Sequence, residues 1–354
     1  MNTIRPSVLV LLIISSVATA QSKLDTAIKL EKEGQYEQAK VLFQRITKEA
    51  PNDAKSFYYL GLMSMLYDYD GAINYLKTAI KLDYADADYH VALGNSFGIK
   101  AARASIFSKL GAASDCLKQY KIAAQLDPKN LSARVGLINY YAQAPGIIGG
   151  SIEKAYAQAD TIKMSDPYTG NLAEAMIRGY RKERSKEEQC YLEALSIDPK
   201  RLKAYEGLWR FYSRQKDYSK AKEIVARMLN TAADKSGAEY SAGLYYEELS
   251  DLDKAVLMFS AALSRDSADA RVYYQLGKAA LFSGKDLEKG LEFFRKCLQS
   301  EPLEDAPTWP YAHWRMGMIY EKLGKRDSAR SEYEVALALD SHLEKVKKSL
   351  EKLR

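Results

Sequence analysis

The chain has 354 residues, 47% of them hydrophobic and 28% charged, with 52 Lys and Arg against 46 Asp and Glu for a net charge of +6. The two signs are interspersed, so the excess describes a solvated surface and excludes the concentrated basic face of a nucleic-acid binder. Cys116, Cys190 and Cys297 lie far apart and form no CxxC pair; an odd count leaves one thiol over in any pairing, and all three read as small buried residues.

The first element in chain order is an export signal. Arg5 precedes an unbroken apolar run from Val8 to Ile14, and Ala18-Thr19-Ala20 fits the small-x-small cleavage rule. Cleavage after Ala20 predicts a periplasmic or secreted chain. The run is shorter than the ~20 residues a membrane span needs, and no later run reaches that length. No stable membrane insertion is therefore expected after cleavage.

From residue 21 onward the chain repeats itself. The segments "YYQLGKAALFSGKDLEKGLEFFRKCLQSEP" (273–302) and "HWRMGMIYEKLGKRDSARSEYEVALALDS" (313–341) share a frame of a large residue, Leu or Met followed by Gly, a Gly-containing turn, a small residue and an aromatic four later. "FYYLGLMSMLYDYDGAINYLKTAIKLDY" (57–84) repeats it in outline, as do "YEGLWRFYSRQKDYSKAKEIVARMLNTAA" (205–233) and "EYSAGLYYEELSDLDKAVLMFSAALSRDS" (239–267). The small residue opening each second helix serves as a ruler: Ala39, Ala72, Cys116, Ala155, Glu187, Ala221, Ala255, Gly290 and Ala329. Most steps fall close to 34, and nine units follow. Glu187 breaks the small-residue rule. The step to Cys116 is 44, a ten-residue insertion in the third unit that predicts lengthened helices and a protruding edge.

Each unit reads as two helices. Tyr205, Leu208, Trp209 and Tyr212 share one face of a first helix, and Ala221, Val225 and Met228 share one face of its partner. Gly61, Gly94, Gly243, Gly277 and Gly317 fall where the two helices cross, predicting close backbone approach. Asp127-Pro128, Asp166-Pro167, Asp198-Pro199 and Glu301-Pro302 are read as unit ends, because Pro disfavours helix in the residue before it. No segment alternates with period two, so the chain is all-α. In the tail after Ser341, Leu343, Val346, Leu350 and Leu353 line one stripe, which predicts a capping helix over 342–354.

These residues resemble the tetratricopeptide repeat over residues 21–341. The resemblance implies an α-solenoid of about nine helix hairpins in a right-handed superhelix, whose concave face binds a protein or peptide partner. In that family the concave face is lined by first-helix positions flanking the Leu-Gly pair. The matching positions are Lys203, Arg210 and Arg214 in the sixth unit and Tyr240 in the seventh. The eighth supplies Arg271, Tyr274, Gln275 and Lys278, and the ninth Tyr311, Trp314 and Arg315. The equivalent N-terminal positions, such as Tyr58, Tyr59, Leu62 and Met65, are more apolar. The family's carboxylate clamp needs Lys, Asn and Arg in successive repeats. Arg271 and Arg315 hold plausible places, but the Asn residues are missing, which leaves an acidic or aromatic peptide as the expected ligand. A basic face that is merely solvated stands as the alternative.

One stretch, "QAPGIIGGS" (143–151), has the look of a phosphate-binding loop. Such loops follow a strand and, in the Walker form, continue into Gly-Lys-Ser/Thr; here a helix precedes, and Ile152 follows Ser151. It is read as the turn of the fourth hairpin, with Ser151 as N-cap. The surrounding "LINYYAQAPGIIGGSIEKAYAQAD" also resembles an uncharacterised group of exported bacterial repeat proteins, which implies export and adds no activity.

Catalytic patterns are missing: no H-E-x-x-H, C-x-x-C or G-x-S-x-G occurs. His90 and His313 occupy equivalent packing positions six repeats apart, so no shared metal site is expected, and no cofactor. The expected function is an exported, non-enzymatic scaffold binding a protein or peptide in the periplasm, with envelope assembly as one setting. A structural subunit that assembles through its edges or ends, without a peptide groove, is the alternative.

Overall fold

The computed structural model describes residues 22–31, 36–65, 68–103, 106–299, 309–341 and 343–353. The export signal, the Glu301-Pro302 unit end and His342 lie outside these residues. All regular structure among the described residues is helical, and the chain forms two compact bodies.

The first body, up to Pro128, holds α1 (22–31), α2 (Tyr36–Glu49), α3 (Ala54–Ser64), α4 (Tyr69–Leu82), α5 (Ala87–Arg103) and α6 (Ile106–Leu126). Helices α5 and α6 run 17 and 21 residues, whereas the other helices from α2 to α18 run 11 to 14. The ten-residue insertion is therefore spent on helix, as expected. Where it overhangs α4 it forms a shallow groove of about 370 Å³ lined in part by Lys77, Phe97, Lys100 and Asp115, with Lys100 donating to Asp70 at 2.7 Å.

The second body begins at Lys129. It contains α7 (Leu131–Gln143), α8 (Ile152–Ser165), α9 (Pro167–Tyr180), α10 (Arg184–Ile197), α11 (Lys203–Arg214), α12 (Tyr218–Thr231) and α13 (Lys235–Glu248). It continues with α14 (Leu252–Arg265), α15 (Ala270–Ser283), α16 (Leu287–Leu298), α17 (Trp309–Lys322), α18 (Arg326–Leu339) and α19 (Glu344–Lys352). Consecutive helices pack as hairpins, and each hairpin packs on the next.

The ruler residues are all buried, Glu187 included. The crossing glycines work differently from the expectation of simple backbone approach. A Cβ on Gly243 would lie 2.4 Å from the Phe259 ring, on Gly277 2.9 Å from Phe294, and on Gly317 2.4 Å from Tyr333. Each ring sits four residues after the ruler position of the same hairpin and fills the notch that glycine leaves. Gly61 receives Leu76 and Gly94 receives Tyr120 in the same way. Burying a ring offsets the ~1 kcal/mol that glycine costs in a helix.

Helix ends follow the local chemistry. Side chains of Asp53, Asp68, Asn130, Ser151, Asp166, Asp217, Asp234, Asp251 and Asp269 accept backbone N–H bonds at helix starts. Asp166-Pro167 has a second role beyond ending a unit: Asp166 caps α9, and Pro167 occupies its first turn, where no N–H is missed. At the C-terminus Val346 and Leu353 are buried against Tyr333 and Ala336, with Leu343 and Leu350 partly buried beside them, so α19 covers the last hairpin.

Candidate functional site

Its hydrogen bonds make the 143–151 segment a turn, as read from the sequence. Gly146–Ile148 forms one 3₁₀ turn, Gly149 takes φ 97°, and Ser151 Oγ accepts from the Lys154 N–H at 3.2 Å. The Tyr140 hydroxyl donates to the Ile148 carbonyl at 2.8 Å. The loop is a braced turn between α7 and α8.

Among the first-helix positions expected to bind, most cations are already occupied. Arg214 donates to the buried Glu187 of the preceding hairpin, and Lys203 pairs with Glu206 at 3.1 Å. Arg271 grips Asp269 through Nε at 3.0 Å and Nη2 at 2.7 Å while stacking 4.7 Å from the Tyr240 ring. Lys278 pairs with Glu247. These four contacts join or brace helices.

Tyr240 and Tyr274 correct the expectation most clearly. They are 9% and 3% exposed, and belong to the core with Phe259 and Phe294 respectively. Burial pushes both phenols above their ordinary pKa. Each packs on the second helix of its own hairpin and on the first helix of the next, so they support a surface and do not form it. Gln275, also buried, leaves its Oε1 without a partner among the described residues.

Arg210 and Arg315 differ from the other cations, because no described carboxylate lies within ion-pair reach of either guanidinium. Arg210 is exposed and stacks 5.0 Å from Trp209. Arg315 is half-buried and sits 5.6, 5.3 and 5.7 Å from the rings of Tyr274, Phe282 and Trp314. Its Nε donates to the Tyr274 hydroxyl at 2.7 Å, fixing the guanidinium's direction. The Trp314 indole N–H is buried and lacks an acceptor among the described residues, and the Tyr311 ring packs edge-on against Trp314 at 6.2 Å. Phe282 is 53% exposed and Tyr311 38%. The result is a cation held among aromatic faces beside an unsatisfied donor, an arrangement suited to an anionic group carrying apolar matter. Sequence reasoning missed Phe282, although it lies four residues after Lys278 on the same helix.

The remaining candidates are structural. His90 is buried, with Nε2 donating to the Tyr84 carbonyl at 3.1 Å and Nδ1 2.7 Å from Gln119 Oε1; His313 Nδ1 lies 2.7 Å from Glu332. Among the described residues no three ligating side chains converge on a metal position, and no helix is long and apolar enough to cross a membrane.

Comparison with known proteins gives the repeat its name. Tetratricopeptide-repeat models match residues 240–307, 310–342 and 18–53. No curated protein matches the sequence. Similar solved structures include a tetratricopeptide repeat protein from Parabacteroides merdae, 15% identical, covering 73% of this chain and 98% of that one with a TM-score of 0.44. PilW, described as a widely conserved type IV pilus biogenesis factor, is 18% identical over 61% of this chain and 96% of its own, TM-score 0.47. YrrB, described as having an unusual peptide-binding site, is 17% identical over 54% and 96%, TM-score 0.40. At such scores these likenesses carry no functional argument. The matched models and the all-helical hairpins agree: the chain carries tetratricopeptide repeats.

Proposed function

We propose that this protein is an exported, non-catalytic scaffold that binds an acidic segment of a protein partner at Arg315 and the rings around it. The observation that carries the reading is Arg315 itself, a half-buried guanidinium bracketed by Tyr274, Phe282 and Trp314 and facing no described carboxylate. Exposed ion pairs contribute only ~0–1 kcal/mol. Micromolar affinity, about −8 kcal/mol, therefore has to come largely from partly buried Arg and aromatic anchors. Lys278, already committed to Glu247, contributes little.

Export rests on the Arg5, Val8–Ile14 and Ala18-Thr19-Ala20 pattern, and a periplasmic role in envelope assembly extends it; an intact mass beginning at Gln21 supports processing. Membership of the exported group with the QAPGxxGGS loop belongs to the same reading. The binding test titrates the full chain with a library of Asp- and Glu-rich peptides, half of them carrying one aromatic residue. Tight binders should lose at least tenfold affinity to Trp314→Ala and Arg315→Gln, and keep it in Lys278→Ala. Equal loss in all three, or no binding peptide at all, overturns the assignment.

A further inference from the structure

Three neighbouring hairpin tips of the second body form a surface that the peptide site does not use. They are the α7–α8 loop, the α9–α10 turn and the α11–α12 turn. Gln143 Nε2 donates to the Tyr180 hydroxyl at 3.0 Å, joining the first tip to the second, and Arg214 reaches Glu187 to join the second to the third.

The helix ends at these tips hold an anomaly. Helices α9, α11, α13 and α17 end in the same paired backbone motif: Lys182 N–H to the Gly179 carbonyl with Glu183 to Arg178, Lys216 to Ser213 with Asp217 to Tyr212, Ser250 to Glu247 with Asp251 to Tyr246, and Gly324 to Glu321 with Lys325 to Tyr320. The motif requires a left-handed residue, and Gly324 supplies it at φ 72° without strain. At the other three tips a side chain holds the same position: Ser250 (φ 60°) after α13, and at the two tips of this surface Lys182 (φ 59°) and Lys216 (φ 62°). An L side chain is disfavoured there. Each lysine keeps a side chain where the backbone favours glycine, and both are exposed.

The charge around them is predominantly basic, although Glu153 opens α8, Glu187 and Glu188 follow the second tip and Asp217 follows Lys216. Residues 178–186, RGYRKERSK, hold Arg178, Arg181, Lys182, Arg184 and Lys186 against the single Glu183. Arg178 and Arg181 both bond Glu183 and hold its carboxyl below the usual range. Lys182, Arg184 and Lys216 have no described carboxylate within ion-pair reach. The α13–α14 turn, with Glu247, Glu248, Asp251 and Asp253, bounds the patch on one side. Apolar groups stand among the cations: Ile147, 94% exposed at the apex of the braced loop, with Tyr180 at 41% and Tyr218 at 44%.

We propose that this edge docks on a bilayer surface containing anionic lipid, its cations facing headgroup phosphates while Ile147, Tyr180 and Tyr218 enter the interface. A protein hot spot is a packed apolar centre shielded from water. A lone aliphatic tip flanked by tyrosines and unpaired lysines suits an interface where apolar groups partition one at a time. The contact is peripheral, with no helix inserted.

The test sediments the full chain with vesicles of phosphatidylcholine alone or mixed with phosphatidylglycerol. Binding is expected only to the mixed vesicles and is lost at high salt. The double variant Lys182→Gly, Lys216→Gly removes two charges and relaxes both turns, so folding is retained, as circular dichroism checks. Its vesicle affinity should fall about 30-fold, at about fivefold per cation. Ile147→Ser should cause a further loss that persists across salt concentrations. Two results overturn the proposal: no binding of the parent to mixed vesicles, with capture of polyglutamate through these lysines pointing to an acidic protein instead, or undiminished binding by the double glycine variant.

Discussion

Glycine-to-alanine changes at three helical positions separate backbone propensity from packing. Alanine gains about 1 kcal/mol over glycine in a helix interior, and that gain is common to all three sites. At Gly111 of α6 a new Cβ meets nothing within 4 Å, so the gain is realised and the helix is stabilised by about 0.4–1 kcal/mol. At Gly277 the Cβ would stand 2.9 Å from the buried Phe294 ring, and at Gly243 2.4 Å from Phe259. Overpacking costs about 1–3 kcal/mol, so the net effect runs from near zero to about 2 kcal/mol of destabilisation, with Gly243→Ala the worse. Gly277→Leu is worse than either alanine, since the whole side chain meets the ring. Hydrogen exchange suits the measurement, because hairpins of a repeat array open separately and a single melting temperature blurs them. Protection should rise in α6 for Gly111→Ala and fall in α15–α16 and α13–α14 for the other two. Equal protection changes at Gly111 and Gly243 would refute the ring-in-notch account.

Three further outcomes follow from the geometry. Burial raises the Glu187 pKa, with Arg214 opposing, so protonation stabilises the native form and that contribution is lost as pH rises through the native value. Arg214→Ala leaves the buried Glu187 carboxylate unpartnered and should destabilise α9–α11 by about 1–3 kcal/mol near neutrality. That is less than breaking a fully buried pair costs, because the Arg214 side chain is exposed to solvent. The loss is smaller in mild acid, which urea titrations at the two pH values can read. Ser151→Ala removes the α8 cap and should cost about 1 kcal/mol, seen as faster exchange in the first turn of α8. Burial pushes the thiols of Cys116 and Cys190 up to about 11 and that of Cys297 up to about 12, so all three should resist alkylation at neutral pH until urea is added.

Period and burial were legible in the sequence because they reside in single residues. The ruler positions and crossing glycines needed only their spacing to be recognised, and the Ser151 cap needed only its neighbours. What escaped were relations between hairpins. Glu187 violated the pattern until the structure placed it 3.2 Å from where a Gly179 Cβ would lie and bonded it to Arg214 of the next hairpin. The missing side chain at 179 makes the room that the ruler position usually supplies. The candidate site was half legible for the same reason. First-helix positions flanking the Leu-Gly pair contain both surface and inter-hairpin residues, and no spacing rule separates Tyr274 from Trp314. Which cations are unpaired depends on Asp269, Glu247 and Glu187, and two of those three lie on other helices.

The rings that fill glycine notches also bear on the order in which the chain assembles. Gly243–Phe259, Gly277–Phe294 and Gly317–Tyr333 join residues 16 or 17 positions apart, within one hairpin. Such short closures favour rapid, independent nucleation at any of these hairpins. The lengthened third hairpin is the exception, since Gly94 and Tyr120 are 26 positions apart. Loop-closure entropy grows only logarithmically, so the added length costs about 0.4 kcal/mol, roughly a twofold slower first encounter. A ten-residue insertion has therefore been accommodated at almost no kinetic penalty, because both new stretches continue existing helices.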